Sequence, residues 1–250
     1  MDQFNHPYSL QGKRVLVTGA SSGIGQGIAV FISQIGAQVI IVGRNNQRLD
    51  ETLSKMNGVG HKSIVCDITK SSDLSQMVNS LPKLDGIVHC AGIGQRILCK
   101  QLVEEDIDRV MNVNFKATVL LQSELLRQKR INKGASVVFI SSMAAEMPSL
   151  GNSVYSASKG AIISFAKCLS LELAPRDIRV NCISPAMVWT KLITDEGIDE
   201  ELLREEERQY PLRRYGSPTD IAGLAGYLLS DTSSWMTGSV LKITGGAIKL

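Results

Sequence analysis

Residues 153 to 163, SVYSASKGAII, carry a tyrosine and a lysine four positions apart, Tyr155 and Lys159. On a helix that spacing sets both side chains on one face, about one turn apart. An ammonium beside a phenol favours the phenolate, so a hydroxyl that ordinarily titrates near pH ~10 moves toward the range where proton transfer is effective. The same lysine can hold the ribose hydroxyls of a nucleotide. YxxxK alone is a spacing that many exposed helix edges carry by chance, so its company decides its weight. Ser142 closes the run VVFISS, and its hydroxyl can bond a substrate oxygen whose negative charge grows in a transition state. Asn114, in MNVNFKA, offers an amide that either binds a water linking Lys159 to solvent or satisfies a backbone carbonyl.

A second set of residues binds rather than reacts. VTGASSGIGQG follows an apolar strand-like run and opens an amphipathic one, with Gly19, Gly23 and Gly25 spaced around Ser21, Ser22 and Ile24. A glycine turn leading into a helix N-terminus presents bare N–H groups and a positive dipole end to phosphate, and glycine is needed where the backbone must approach closely. About 20 residues further on, a dinucleotide site that prefers NAD offers a carboxylate to the ribose. Here that place reads Val42, Gly43, Arg44. The guanidinium can bind a 2′-phosphate by charge-assisted bonds, which favours NADP(H) over NAD(H); the alternative is a solvated loop arginine. Asp67, after SIVC, either accepts from an adenine amino group or caps the next helix.

The elements that must position these groups alternate along the chain. Runs rich in β-branched residues occur at 14 to 18, 38 to 43, 63 to 66, 86 to 90, 136 to 141 and 178 to 184. Helical patterns lie between them, including one from about Glu104 to Gln128, one from about Ser153 to Ala174 and a last one from about Pro218 to Ser230. Strands with few polar interruptions, alternating with helices, indicate an α/β doubly wound parallel sheet covered on both faces. Ligands of such sheets lie at the carboxyl ends of the strands, the edge to which the glycine turn, Asp67 and Ser142 all belong.

No repeat, low-complexity tract or Pro/Gly linker divides the chain, so the reading is one domain over 1 to 250. Its cofactor half runs from about 10 to 140 and its catalytic and substrate half from about 141 to 250. The charged stretch 194 to 216 breaks the alternation, as either a solvated surface helix or part of a mobile cover over about 187 to 216.

Composition excludes several classes. With 250 residues, 44% hydrophobic and 20% charged, the chain reads as an ordinary globular protein, and a net charge of +3 spread along it is too mild for a nucleic-acid footprint. Five cysteines without CxxC spacing argue for reduced thiols and a cytoplasmic location, and three scattered histidines argue against a metal. The polar start and the lack of a long apolar run argue against export or a membrane span.

Taken together, TGASSGIG, the NVN of 112 to 114, ISS with the downstream YSASKGA, and RVNCISPA resemble the short-chain dehydrogenase/reductase family, and the closing segment from PLRRYG to KITGG is similar to that family's end. The resemblance covers nearly the whole chain. It implies a single-domain Rossmann-type fold of about seven strands, usually a homotetramer or homodimer built through the long fourth and fifth helices. It implies a catalytic tetrad of Asn114, Ser142, Tyr155 and Lys159, and a cofactor site that adds Ile68, Ala91, Gly92, Pro185, Val188 and Thr190 to the residues above. Two departures stand out: HCAG, with His89 and Cys90, replaces the family's NNAG and removes a side-chain brace of the sheet, and Pro185-Ala186 replaces Pro-Gly and adds a methyl beside the expected nicotinamide.

The implied activity is an oxidoreductase that reduces a carbonyl by hydride transfer. Among members the chain most resembles the 3-oxoacyl-[acyl-carrier-protein] reductase type. Arg127, Lys129, Arg130, Lys133 and Arg176 either dock an acidic carrier protein or simply complement helix ends. The segments 143 to 153 and 185 to 193 are rich in Met, Ala, Trp and Leu and favour an apolar or extended carbonyl substrate. A sugar, steroid or other small ketone is the alternative substrate, and a nucleotide-binding sensor or scaffold without turnover the alternative class.

Overall fold

The computed structural model describes residues 7 to 194 and 199 to 247. The six β-branched runs form strands and the closing segment adds a seventh: β1 (Arg14–Thr18), β2 (Gln38–Gly43), β3 (Lys62–Val65), β4 (Leu84–His89), β5 (Ile131–Ile140), β6 (Arg179–Pro185) and β7 (Val240–Ile243). They pair in parallel throughout as one sheet of order β3-β2-β1-β4-β5-β6-β7. Strand order reverses between β1 and β4, so the crevice for a ligand opens beyond Thr18 and His89.

The connecting helices are α1 (Gly23–Gln34), α2 (Asn46–Leu53), α3 (Ser71–Ser80), α4 (Glu104–Met111), α5 (Ala117–Arg127), α6 (Ser153–Leu173), α7 (Lys191–Thr194), α8 (Glu200–Gln209) and α9 (Pro218–Leu229). Alternate strand residues feed two separate cores, as the period-2 alternation of a strand requires. Leu16, Ile87, Val137 and Val180 pack on one face with Leu121 of α5 and Ile162 of α6. Val15, Val17, Val39, Val88 and Ile183 pack on the other with Ile28 of α1 and Ala225 of α9. Both faces are therefore dry, which is why the strands carry so few polar residues.

Two elements differ most from the sequence reading, the other boundaries shifting by about two residues at most. The long helix expected over 104 to 128 is interrupted by one turn of π-helix, Asn112–Lys116, between α4 and α5. That turn carries Asn114 to the site, and an inserted π turn re-aims a side chain that a regular helix would place elsewhere. Strand β5 starts at Ile131 rather than near 136, because Leu84 pairs with Ile131 across a register irregularity.

The basic group lies at the amino-terminal edge of the sheet, opposite the crevice. Arg130 donates to the carbonyls of Leu81 (2.7 Å) and Asn79 (2.8 Å), and Arg176 to that of Ile131 (2.7 Å). Arg127 pairs with Glu124 (2.6 Å) and Lys133 with Asp177 (3.1 Å). These cations tie helix ends and strand starts together, which supports the local of the two roles read from the sequence. No helix among the described residues is long and apolar enough to cross a membrane.

Candidate active site

The first turn of α1 and the end of β1 make a glycine-lined cradle of exposed N–H groups. Gly19 holds φ at 66°, and a Cβ there would lie 2.8 Å from the backbone of Ala91. A Cβ on Gly25 would lie 2.4 Å from the Gly19 carbonyl oxygen. Neither position accepts a side chain, and α1 has no acidic residue in its first turn to compete for an anion. A cleft of about 370 Å³ runs from this cradle along the carboxyl ends of the strands. Ser21, Ser22, Gly23, Ile24, Asp67, Ile68, Ala91, Gly92 and Thr190 all line it.

At the far end of this cleft stand Gly43, Arg44 and Arg48. Arg48 was not singled out from the sequence; Asn45 caps α2 by accepting from its backbone N–H (3.0 Å), which fixes the first turn on which its side chain stands. Asp67 does not cap the next helix, whose N-cap is Lys70. Its Oδ1 accepts from Thr69 N (3.1 Å) and Thr69 Oγ1 (2.7 Å) instead. The Thr69 hydroxyl, aided by the Thr69 N–H and the Arg44 and Lys70 charges, holds the Asp67 carboxyl below its usual range against burial.

Tyr155 lines the first cleft and also a second one of about 540 Å³, so it stands where the two meet. Lys159 is buried beneath it, with Nζ 5.8 Å from the Tyr155 ring centroid and donating to the carbonyl of Ile140 (3.1 Å). Burial lowers the pKa of this ammonium below that of an ordinary lysine, opposed by the nearby Cys90 and Cys182 thiols. A Cβ on Gly92 would come within 3.3 Å of both Lys159 Nζ and Asn114 Oδ1, so the bare glycine lets loop, amide and ammonium converge. Asn114 is held between that loop and α6: Oδ1 accepts from Ile93 N (2.8 Å), and Nδ2 donates to Ile93 O (3.0 Å) and to Ser158 Oγ of α6 (3.0 Å). It does satisfy a backbone carbonyl, but that of the loop after β4 rather than of its own helix.

Ser142 lines the second cleft, where its Oγ accepts from Ala144 N (3.1 Å). A hydroxyl that accepts in this way keeps its proton to donate elsewhere. Met143, Met147, Leu150, Met187, Leu192 and Ile193 are its large apolar side chains, and Arg96 and Glu206 are its charged ones, among further polar residues such as Asn152 and Gln209. Pro185 and Val188, expected beside the cofactor, line this second cleft rather than the first. The two sequence departures find direct explanations. Thr18 Oγ1 accepts from the N–H groups of Cys90 (3.1 Å) and Ala91 (3.2 Å), so a β1 hydroxyl supplies a brace where the asparagines are absent. Ala186 lines the second cleft and packs its methyl against the cluster of Tyr210, Tyr215 and Leu203.

The stretch between β6 and α9 holds structure that the sequence reading left between two possibilities. Helix α8 buries Leu203, and its Glu207 accepts from Trp189 Nε1 and Tyr215 N. Residues 195 to 198 of the expected cover lie outside the described residues. The charged composition of α8 hid this inward face, because one buried leucine among ten polar-rich positions makes no visible stripe.

Comparison with known proteins agrees with this geometry. The family model described as enoyl-(acyl carrier protein) reductase matches residues 19 to 247. The chain is 33% identical to a 3-oxoacyl-[acyl-carrier-protein] reductase of Rickettsia felis, over 96% of this chain and 98% of the relative. It is 34% identical to human dehydrogenase/reductase SDR family member 4, over 95% of this chain and 88% of the relative. Among solved structures, a short-chain type dehydrogenase/reductase from Mycobacterium marinum superposes with a TM-score of 0.87 at 32% identity, covering 97% of this chain and 98% of that one.

Proposed function

The chain belongs to the short-chain dehydrogenase/reductase family, and from that premise we propose that it is an NADP(H)-dependent reductase of a bulky apolar carbonyl compound, with a 3-oxoacyl thioester as the favoured substrate. The observation that carries this reading is the position of Tyr155 at the junction of the two clefts, with the Lys159 ammonium beneath it.

The glycine cradle, the helix N-terminus and the arginine pair fit a dinucleotide that bears an extra phosphate. When bound, a dihydronicotinamide supplies hydride. The chain's own groups do the rest. Ser142 donates its hydroxyl proton in a hydrogen bond to the carbonyl oxygen and polarises it. Tyr155 gives that oxygen a proton as negative charge grows there. Lys159 stabilises the resulting phenolate and orients the ribose hydroxyls, and Asn114, holding the Ile93 loop in place, brings a water to reload the proton. Arg44 and Arg48 bind the 2′-phosphate by charge-assisted bonds.

The apolar wall of the second cleft supports a substrate that is extended and uncharged near its carbonyl. The near full-length match to a 3-oxoacyl-[acyl-carrier-protein] reductase supports the thioester class. Exposed Val103 just before α4, Ile107 on α4, Leu120 on α5 and Leu171 on α6 support assembly of copies through these helices, as a homotetramer or homodimer. The unbridged cysteines agree with a cytoplasmic location.

NADPH oxidation measured against 3-oxoacyl thioesters, sugars, steroids and simple ketones tests the reading. Tyr155→Phe should bind NADPH as the wild type does, yet lose turnover by about three orders of magnitude or more. Turnover within tenfold of wild type would remove the proton-donor role.

A further inference from the structure

Helix α8 is charged and mostly solvated, yet the Glu207 side chain is only 13% exposed. Donors from three pieces of chain converge on its carboxylate. Oε1 accepts from Trp189 Nε1 at 2.8 Å and from Tyr215 N at 2.9 Å, and Oε2 accepts from the Arg204 guanidinium at 3.1 Å. Arg204 also lies over the Trp189 ring, 4.3 Å from its centroid, so the indole is gripped at its edge and on its face.

The grip reaches both clefts. Thr190, the next residue after Trp189, lines both of them and lies against the glycine cradle, where a Cβ on Gly23 would come within 3.1 Å of its methyl. On the other side of the clamp, Glu206 and Gln209 of α8 line the second cleft, and Glu206 accepts from the Tyr215 hydroxyl at 3.0 Å. Glu207 itself lines neither cleft. One carboxylate therefore joins the wall that the clefts share to the helix that borders the substrate side.

We propose that Glu207 is a positioning residue for the carbonyl substrate, fixing Trp189 and Thr190 against α8 and so setting the shape of the second cleft where it meets the first. The inference rests on the carbonyl-reductase reading for what occupies that cleft. A carboxylate is the group that fits. One oxygen takes two N–H donors while the other takes a guanidinium, whereas a glutamine amide in this place would turn a donor toward either the indole or the arginine.

The chain has two tryptophans, and Trp235 is 99% exposed, so Trp235→Phe leaves Trp189 as a site-specific fluorophore. In that background Glu207→Ala should raise KM for the carbonyl about tenfold or more, with kcat and NADPH Kd within about threefold, and Trp189 emission should shift to the red. Glu207→Gln should fall between the two, a partial rescue by the conservative variant. Without the fluorescence background, Trp189→Phe added to Glu207→Ala should cost little beyond Glu207→Ala alone, since both break one clamp. A KM within twofold of wild type, additive effects, or parallel losses in KM, kcat and Tm would overturn the proposal; if the alanine variant fails to fold, the glutamine variant is judged by the same criteria. If none of the carbonyl compounds tested supports NADPH oxidation by the wild type, the proposed reaction fails, and the clamp is judged by Trp189 alone: unchanged emission in Glu207→Ala overturns it.

Discussion

Acid should weaken this fold through one buried side chain, His89, at the carboxyl end of β4. Its ring stacks on Phe139 of the neighbouring strand at 4.6 Å between centroids, and Nε2 meets Gln122 Oε1 at 2.9 Å. Nδ1 has no partner among the described residues, nor has Gln122 Nε2. Burial lowers the imidazole pKa from 6.5 to about 4, and the Gln122 bond only partly offsets it. Because the folded value lies below the unfolded one, the unfolded chain binds the extra proton throughout that window. The contribution of neutral His89 is thus complete above the unfolded pKa and is lost as pH falls toward the folded one. Each pH unit inside the window is worth about 1.4 kcal/mol, so the loss between pH 7 and pH 5 is about 2 kcal/mol. Urea unfolding at pH 7, 6 and 5, at one fixed protein concentration, measures it. Carboxylates also titrate over part of this range, and subtracting the same series for His89→Asn removes their contribution. The variant is less stable at pH 7, but its stability should fall less steeply by about 2 kcal/mol over the two units. Parallel curves, agreeing within about 0.5 kcal/mol, would refute the assignment of a desolvated, uncharged imidazole.

Three further outcomes follow from the geometry. Arg44→Ala and Arg48→Ala should each lower kcat/KM with NADPH about 10- to 100-fold while leaving NADH nearly unchanged, the loss expected of a charge-assisted bond; equal losses with both cofactors would remove the 2′-phosphate role. Gly19→Ala must place a methyl 2.8 Å from the Ala91 backbone at a φ of 66°, so NADPH titration should detect no binding and the melting temperature should drop. Ser217→Ala removes the hydroxyl half of the capping box on α9, and should cost about 1 kcal/mol and lower Tm by about 2–4 °C with activity intact.

The parallel sheet covered on both faces and the edge that holds the crevice were legible because they follow from short-range chemistry, whereas the order of the strands was not. Apolar strands too uniform to have a wet face require helices on both sides, and Leu16 and Val17, adjacent in sequence, do feed opposite cores. The glycine cradle was legible for the same reason: its glycines lie close together in the chain, and Gly19 and Gly25 leave no room for a side chain. The spacing of Tyr155 and Lys159 likewise survives as a shared helix face.

What the sequence concealed depends on contacts between distant segments. Asn114 could be named as an amide near the site, but its partner is the Ile93 loop, reached through a π turn that no periodicity announces. Arg130 and Arg176 stay open between a docking patch and helix-end cations until the carbonyls they bond appear on the edge away from the crevice. Glu207 is the sharpest case. It stands in EELLREEERQ, where every neighbouring carboxylate looks equivalent, and only the fold selects the one that meets Trp189. Charge-rich helices are usually read as solvated because their composition averages over faces. When such a helix lies against a ligand cleft, however, a single inward carboxylate can carry positional information that composition cannot express, since desolvation makes its three bonds much stronger than those its exposed neighbours form with water.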